Sequence, residues 1–152
     1  MIQVTHRRVD GFELVGLENS HLSLAIAPAL GAKLVSLVDR ASGREWMWRP
    51  TPQLRLFAKS TGTPFPEGPL VGADECIPTI GPCSWRDLPG HDHGEAWTEA
   101  WTLDRDAIER GELVTRLRLP IFPFEISLSK IVEFLLFHQF LQVIPVTIDS
   151  LQ

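Results

Sequence analysis

"HLSLAIAPALGAKLVSLVDRASGREWMW", His21 to Trp48, sets the fold class. In its opening run Leu22, Leu24 and Ile26 fall on one side of an extended chain, and His21, Ser23 and Ala25 on the other. A period of two is the signature of a β-strand. Pro28 and Gly31 break the run before "KLVSLVD", which ends at the turn "DRASGRE" and resumes as "EWMW". Two strand segments joined by a loop rich in Asp, Ser and Gly form a hairpin. The alternation returns downstream. In "ELVTRLRLP", Leu113, Leu117 and Leu119 oppose Val114, Arg116 and Arg118; in "FEISLS", Phe124, Ile126 and Leu128 oppose Glu125, Ser127 and Ser129.

Between these strands lies an irregular region, Pro50 to Gly90, holding eight of the twelve prolines. Proline removes a backbone donor, so this region suits neither helices nor long central strands. Long ordered loops in a β domain often shape a site, although a plain surface loop is the alternative. "DRDAIERGE" reads as a single helical turn or a loose hairpin connection, and one helix is expected near residues 130–142. With no internal repeat and no boundary, residues 1–152 read as one all-β, antiparallel domain.

The bulk properties narrow the function classes. A chain of 152 residues, 44% hydrophobic and 22% charged, can bury a core. Its net charge of −5 and scattered Lys and Arg give no basic footprint for nucleic acid. "MIQVTHRRVDG" has no apolar run behind its basic pair, so no signal peptide is read there. The longest apolar stretch, "IVEFLLFHQFLQVIPV", is interrupted by Glu133, His138 and Gln142 and falls short of the roughly 20 apolar residues of a membrane span. A buried segment is expected instead. Cys76 and Cys83 match neither a redox CxxC nor a zinc knuckle, and read as buried free thiols. The expectation is a soluble, cytoplasmic protein without nucleic-acid or membrane partners.

Chemistry concentrates in "GHDHGEAWTEAW", Gly90 to Trp101, which holds His91, His93, Trp97 and Trp101 among Asp92, Glu95 and Glu99. On a strand His91 and His93 would share a face and could grip one ion. Cupin-type sites follow such a pair with a glutamate at a characteristic spacing, which neither Glu95 nor Glu99 matches, and no third histidine follows suitably. No metal site is expected. If the strand continued, Trp97, Glu99 and Trp101 would alternate apolar plates with an acceptor, the mixture that binds sugars. The same spacing also describes two tryptophans of an ordinary core.

The order of motifs bears on that choice. "ENSHLSLAIAPALGAKLVSLVDRASGREWMW" resembles the opening of the aldose 1-epimerases, members of the galactose-mutarotase-like superfamily. "GADECIPTIGPC" resembles the family's Gly-rich segment before the sugar site, "DHGEAWTEAW" its HG-x-x-W element, and "TRLRLPIFPFEISLSKIV" the following strand pair. Together these cover about residues 10–131.

The resemblance implies an antiparallel β-supersandwich with a sugar across one concave face, and a sugar-anomer epimerase that works by acid–base chemistry without cofactor, metal or nucleotide. It places His93 on the histidine near the ring oxygen and Trp97 on the aromatic that follows. It sets Asp74 and Glu75 at the pocket mouth, where loop solvation is the alternative, and Arg86 where a hydroxyl or phosphate could be anchored. His91 has no counterpart in the family pattern and reads as a surface histidine.

The pattern breaks further on. The family's second histidine, the general acid, is usually followed by proline, whereas His138 is followed by Gln139 and a proline comes seven residues later. His138 is therefore either that acid or a core histidine. No carboxylate matches the family's downstream base, so the chain reads as an incomplete supersandwich, an N-terminal half altered near residue 130. Its small-molecule partner would be an aldose, bare or phosphorylated. The alternative to an epimerase is a carbohydrate-binding relic without turnover. Open strand edges would favour self-association.

Overall fold

A computed structural model of the chain describes residues 2–85, 87–109, 112–121, 124–134, 141–144 and 149–150. The first sheet is a meander of β1 (Gln3–Val9), β2 (Phe12–Glu18), β3 (Leu22–Ala27), β4 (Lys33–Asp39) and β5 (Arg44–Glu45), each antiparallel to the next. The segments that fix the fold class pair directly, with Leu22 opposite Asp39 and Leu24 opposite Leu37. The expected hairpin follows, Val38 facing Glu45 and Asp39 facing Arg44.

A small hairpin, β6 (Cys83–Trp85) with β7 (Leu88–Gly90), stands apart. The second sheet contains β8 (Thr102–Leu103), β9 (Glu112–Ile121), β10 (Phe124–Phe134) and β11 (Leu141–Ile144) in the order β11-β10-β9-β8, with β12 (Asp149–Ser150) pairing β10. "DRDAIERGE" does make a helical turn, α1 (Arg105–Glu109), whose Ala107 N–H donates to Asp104 Oδ1 at 3.1 Å. The chain is an antiparallel β-sandwich, with almost no helix among the described residues.

Simple alternation fails inside the first sheet, for a physical reason. Leu14 to Leu17 of β2 are buried without a break, as are Leu24 to Ala27 of β3 and Lys33 to Ser36 of β4. A strand covered on both faces loses its polar side. Val15, Leu17, Leu24, Ile26 and Leu34 pack with Leu113 of the second sheet. On the opposite face Leu14, Ala25, Ala27 and Val35 are covered by Leu30, Leu56 and Val71. The proline-rich region thus contributes one wall of the core.

Three expectations are corrected. The helix near 130–142 is absent from the described part of that range: β10 continues to Phe134, pairing with both β9 and β11, and β11 begins at Leu141. An apolar run such as "IVEF" is what a central strand looks like, and periodicity alone does not separate it from a buried helix. Trp97, Glu99 and Trp101 do not lie on a continuous strand, because residues 92–99 fold as successive turns. Cys83 is exposed rather than buried, while Cys76 is partly buried; both are free thiols. Among the described residues, no helix is long and apolar enough to cross a membrane.

Candidate functional site

The histidine stretch folds back on itself because two consecutive residues adopt left-handed backbone, His93 at φ 59° and Gly94 at φ 70°. The reversal lets Ile77 O accept both the Glu95 N–H at 2.9 Å and the Ala96 N–H at 3.1 Å, while the His93 N–H donates to Ile80 O at 3.1 Å. Residues 77–80 and 93–96 are thereby stitched together. Glycine is required at 94 on two counts: its φ is positive, and a Cβ there would lie 2.1 Å from Ile77 O.

A second loop closes over this turn. The Phe65 N–H donates to Asp92 Oδ2 at 2.9 Å, and the Phe65 ring stacks on His93 with centroids 3.9 Å apart and planes 10° from parallel. The same ring meets Trp97 edge-on at 5.2 Å. Asp92 uses its other oxygen, Oδ1, on His93 Nδ1 at 2.8 Å. One carboxylate thus orients the imidazole and fixes the aromatic ring that stacks on it.

The Phe65 N–H, then the His93 ring, hold the Asp92 carboxyl below the usual aspartate range, so it is ionised at neutral pH. An ionised carboxylate only accepts, so His93 Nδ1 carries the proton and donates it to Asp92. In neutral His93, Nε2 is then the basic nitrogen. The His93 side chain is 28% exposed, enough to meet a solute.

Trp97 lies deeper, 3% exposed, with its ring against Gly68 and its indole Nε1 buried without a hydrogen-bond partner. Trp101 is equally buried, and its Nε1–H donates to Ala96 O at 3.0 Å. Both tryptophans are therefore packing residues; Trp97 also backs Phe65. Asp74 points inward. Its carboxylate pairs with the Lys33 ammonium, with side-chain exposures of 6% and 1%, and Lys33 Nζ also donates to Pro69 O at 3.1 Å. Glu75 is partly buried on the same loop. Arg86 and His138 lie outside the described residues.

The structure thus brings His93 and Trp97 together through Phe65. Asp92, Phe65 and Lys33 are additions that the sequence reading missed. Among the described residues, no group of three or more His, Cys, Asp or Glu is arranged to hold a metal ion.

Comparison with solved structures finds similarity to a galactose mutarotase-like protein from Clostridium acetobutylicum. The identity is 12%, the match covers 87% of this chain and 46% of that one, and the TM-score is 0.50. The chain thus spans about half the length of that protein. At such identity the likeness is one of fold: an antiparallel β-sandwich of the galactose-mutarotase-like kind. No protein-family profile and no curated protein matches the chain.

Proposed function

We propose that the chain is a carbohydrate-binding protein of the aldose 1-epimerase type, which interconverts sugar anomers by opening and closing the hemiacetal ring. The observation that carries this reading is the Asp92–His93 pair, a partly exposed imidazole with one nitrogen held by an ionised carboxylate. Ring opening takes a proton from the C1 hydroxyl and gives one to the ring oxygen, and closure on the other carbonyl face reverses both transfers. His93 Nε2 is the nitrogen left to meet the sugar near its ring oxygen. Phe65 supplies aromatic surface beside it, with Trp97 packed behind Phe65, and the mutarotase-like fold supports a sugar as the substrate class.

In this reading Glu75 and Arg86 serve the sugar hydroxyls or a phosphate, Asp74 shapes the loop that carries Glu75, and His138 is a further candidate for the general acid. Two free thiols suit a cytoplasmic setting. Polarimetry on freshly dissolved α-glucose and α-galactose, together with calorimetric titration of the same sugars, tests the proposal. Acceleration over buffer that falls about 10²–10⁴-fold in His93→Ala supports it. Sugar binding without turnover would establish the non-catalytic alternative, and no binding to any aldose would end the reading.

A further inference from the structure

A cavity of about 210 Å³ opens between residues 49–57 and 68–71, and none of its lining residues belongs to the histidine stretch. Both walls are fixed through the backbone. On one side the Leu56 N–H donates to Asp10 Oδ2 at 2.9 Å. On the other the Gly72 N–H donates to Trp48 O at 2.9 Å, and Leu34 and Ala73 exchange N–H to carbonyl bonds at 3.0 Å in each direction. A cavity anchored in this way exists before anything enters it, as ligand pockets usually do.

The lining is of two kinds. Leu54, Phe57, Leu70 and Val71 supply apolar wall, and Leu54 and Val71 continue into the packing on the first sheet. Among the described residues, the charged groups that line the cavity are Arg49 and Arg55, and no Asp or Glu does. Each guanidinium has five N–H donors to place. Arg49 gives Nη2 to Glu45, while its Nε is buried without a hydrogen-bond partner. That Glu45 carboxylate is also occupied by the Ser36 hydroxyl and by the Leu37 and Met47 N–H groups. Arg55 gives Nη1 to Asp10 Oδ1 at 3.4 Å. Neither carboxylate lines the cavity, so the polar part of the wall is cationic in a chain of net charge −5.

We propose that this cavity is a binding site for a small carboxylate with an apolar, ring-sized body, recognised by Arg49 and Arg55. The proposal does not depend on the sugar reading. An apolar cavity of about 150 Å³ takes a benzene ring, and the larger volume here leaves room for a carboxylate beside one. The body lies against Leu54, Phe57, Leu70 and Val71, where removal of its apolar surface from water favours binding. The carboxylate accepts from guanidinium N–H groups that Glu45 and Asp10 leave open, in the planar fork geometry that matches two oxygens. Charge and apolar wall are both needed, which sets this ligand apart from a bare anion and from a neutral ring.

The test titrates the isotope-labelled full chain with benzoate, with benzamide as its uncharged counterpart and with acetate as the anion without a body. Benzoate should shift backbone amide signals within 49–57 and 68–71 and leave those of 91–97 in place. Benzamide and acetate should each bind at least about tenfold more weakly. Arg55 is 63% exposed, so Arg55→Gln spares the fold and should weaken benzoate about tenfold at a nearly unchanged melting temperature. Arg49→Lys keeps the charge beside Glu45 but loses the fork, and should weaken benzoate as well. Leu70→Trp, at another exposed position, should fill the cavity and abolish binding. If neither arginine variant weakens benzoate, or if benzamide binds equally, the cavity is a plain apolar crevice and the proposal falls. It falls too if acetate matches benzoate, if the shifts centre on the histidine stretch, or if benzoate does not bind.

Discussion

Asp92 does two jobs with two oxygens, one on the Phe65 N–H and one on the His93 ring, and its replacement separates them from packing. Asp92→Asn keeps the volume but can no longer accept at both oxygens. His93 should lose its fixed tautomer, and any sugar turnover should drop by about 10²–10⁴-fold while the melting temperature moves little. Trp97→Ala should behave in the opposite way. At 3% exposure the ring is core, and its removal should cost about 3–5 kcal/mol in a urea titration.

His93 and Trp97 were legible in the sequence because they sit four residues apart in a motif. Phe65 was not, since it reaches them from 28 residues upstream of His93 across a turn that no periodicity reports. A phenylalanine between Pro64 and Pro66 was the available signal, because flanking prolines stiffen a loop and aim what it carries.

At the scale of the element, the irregular region was recognised as a loop, but its role in the core was hidden. Loops are expected on the surface, and here Leu56 and Val71 cover one face of the first sheet. Lys33 inside the apolar run "GAKLVSLV" was the clue: a charge in such a place needs a buried partner, which Asp74 supplies. Removing one member should be severe. Asp74→Asn or Lys33→Met should each destabilise the chain by about 3–5 kcal/mol in chemical denaturation, because each leaves its partner buried and uncompensated. The double replacement Lys33→Met with Asp74→Leu should recover most of that loss; a double variant as unstable as the singles would contradict the pairing. The positions of β3 and β4 were readable, although both are buried over four consecutive residues instead of alternating. The segment near 130 reads as helix because the largely apolar "IVEF" shows no clear period of two, and periodicity alone does not separate such a run from a strand, which is what β10 is there.

For the whole molecule, the carboxylates give a signed dependence on acid. Asp39, Asp92 and Asp104 are held below their ordinary 3.8, mainly by the Ser42 hydroxyl, the Phe65 N–H and the Ala107 N–H respectively. For Glu45 burial pushes upward, but the Leu37 N–H, the Ser36 hydroxyl, the Met47 N–H and Arg49 outweigh it and leave the group below 4.5. A carboxylate whose folded pKa is depressed stabilises the fold above its ordinary value, and that contribution is lost as pH falls through the folded value. Melting temperature should therefore be steady from neutrality to about pH 5 and decline through about pH 4 to 2. A flat profile there would refute the assignment.

The thiols differ in the same spirit. Burial, then the neighbouring Asp74 and Glu75 charges, push the Cys76 thiol up, whereas Cys83 is exposed. A thiol reagent near pH 7.5 should label Cys83 first, and Cys83→Ser should leave one slow site.

The loop that walls the core also carries the tip that overhangs the histidines, and the two parts differ in how freely they can change. Leu56, Gly68, Pro69 and Val71 are buried, whereas Ser60, Thr61 and Gly62 at the tip are exposed. Substitutions in the buried parts are filtered by folding before they can be judged on ligand preference. A substitution of the exposed Thr61, whose hydroxyl donates to Glu99 Oε1 at 2.7 Å, escapes that filter and still alters that contact. Divergence of specificity in such a scaffold should therefore fall on exposed positions of the loop such as Thr61, with its buried positions held nearly as tightly as a strand.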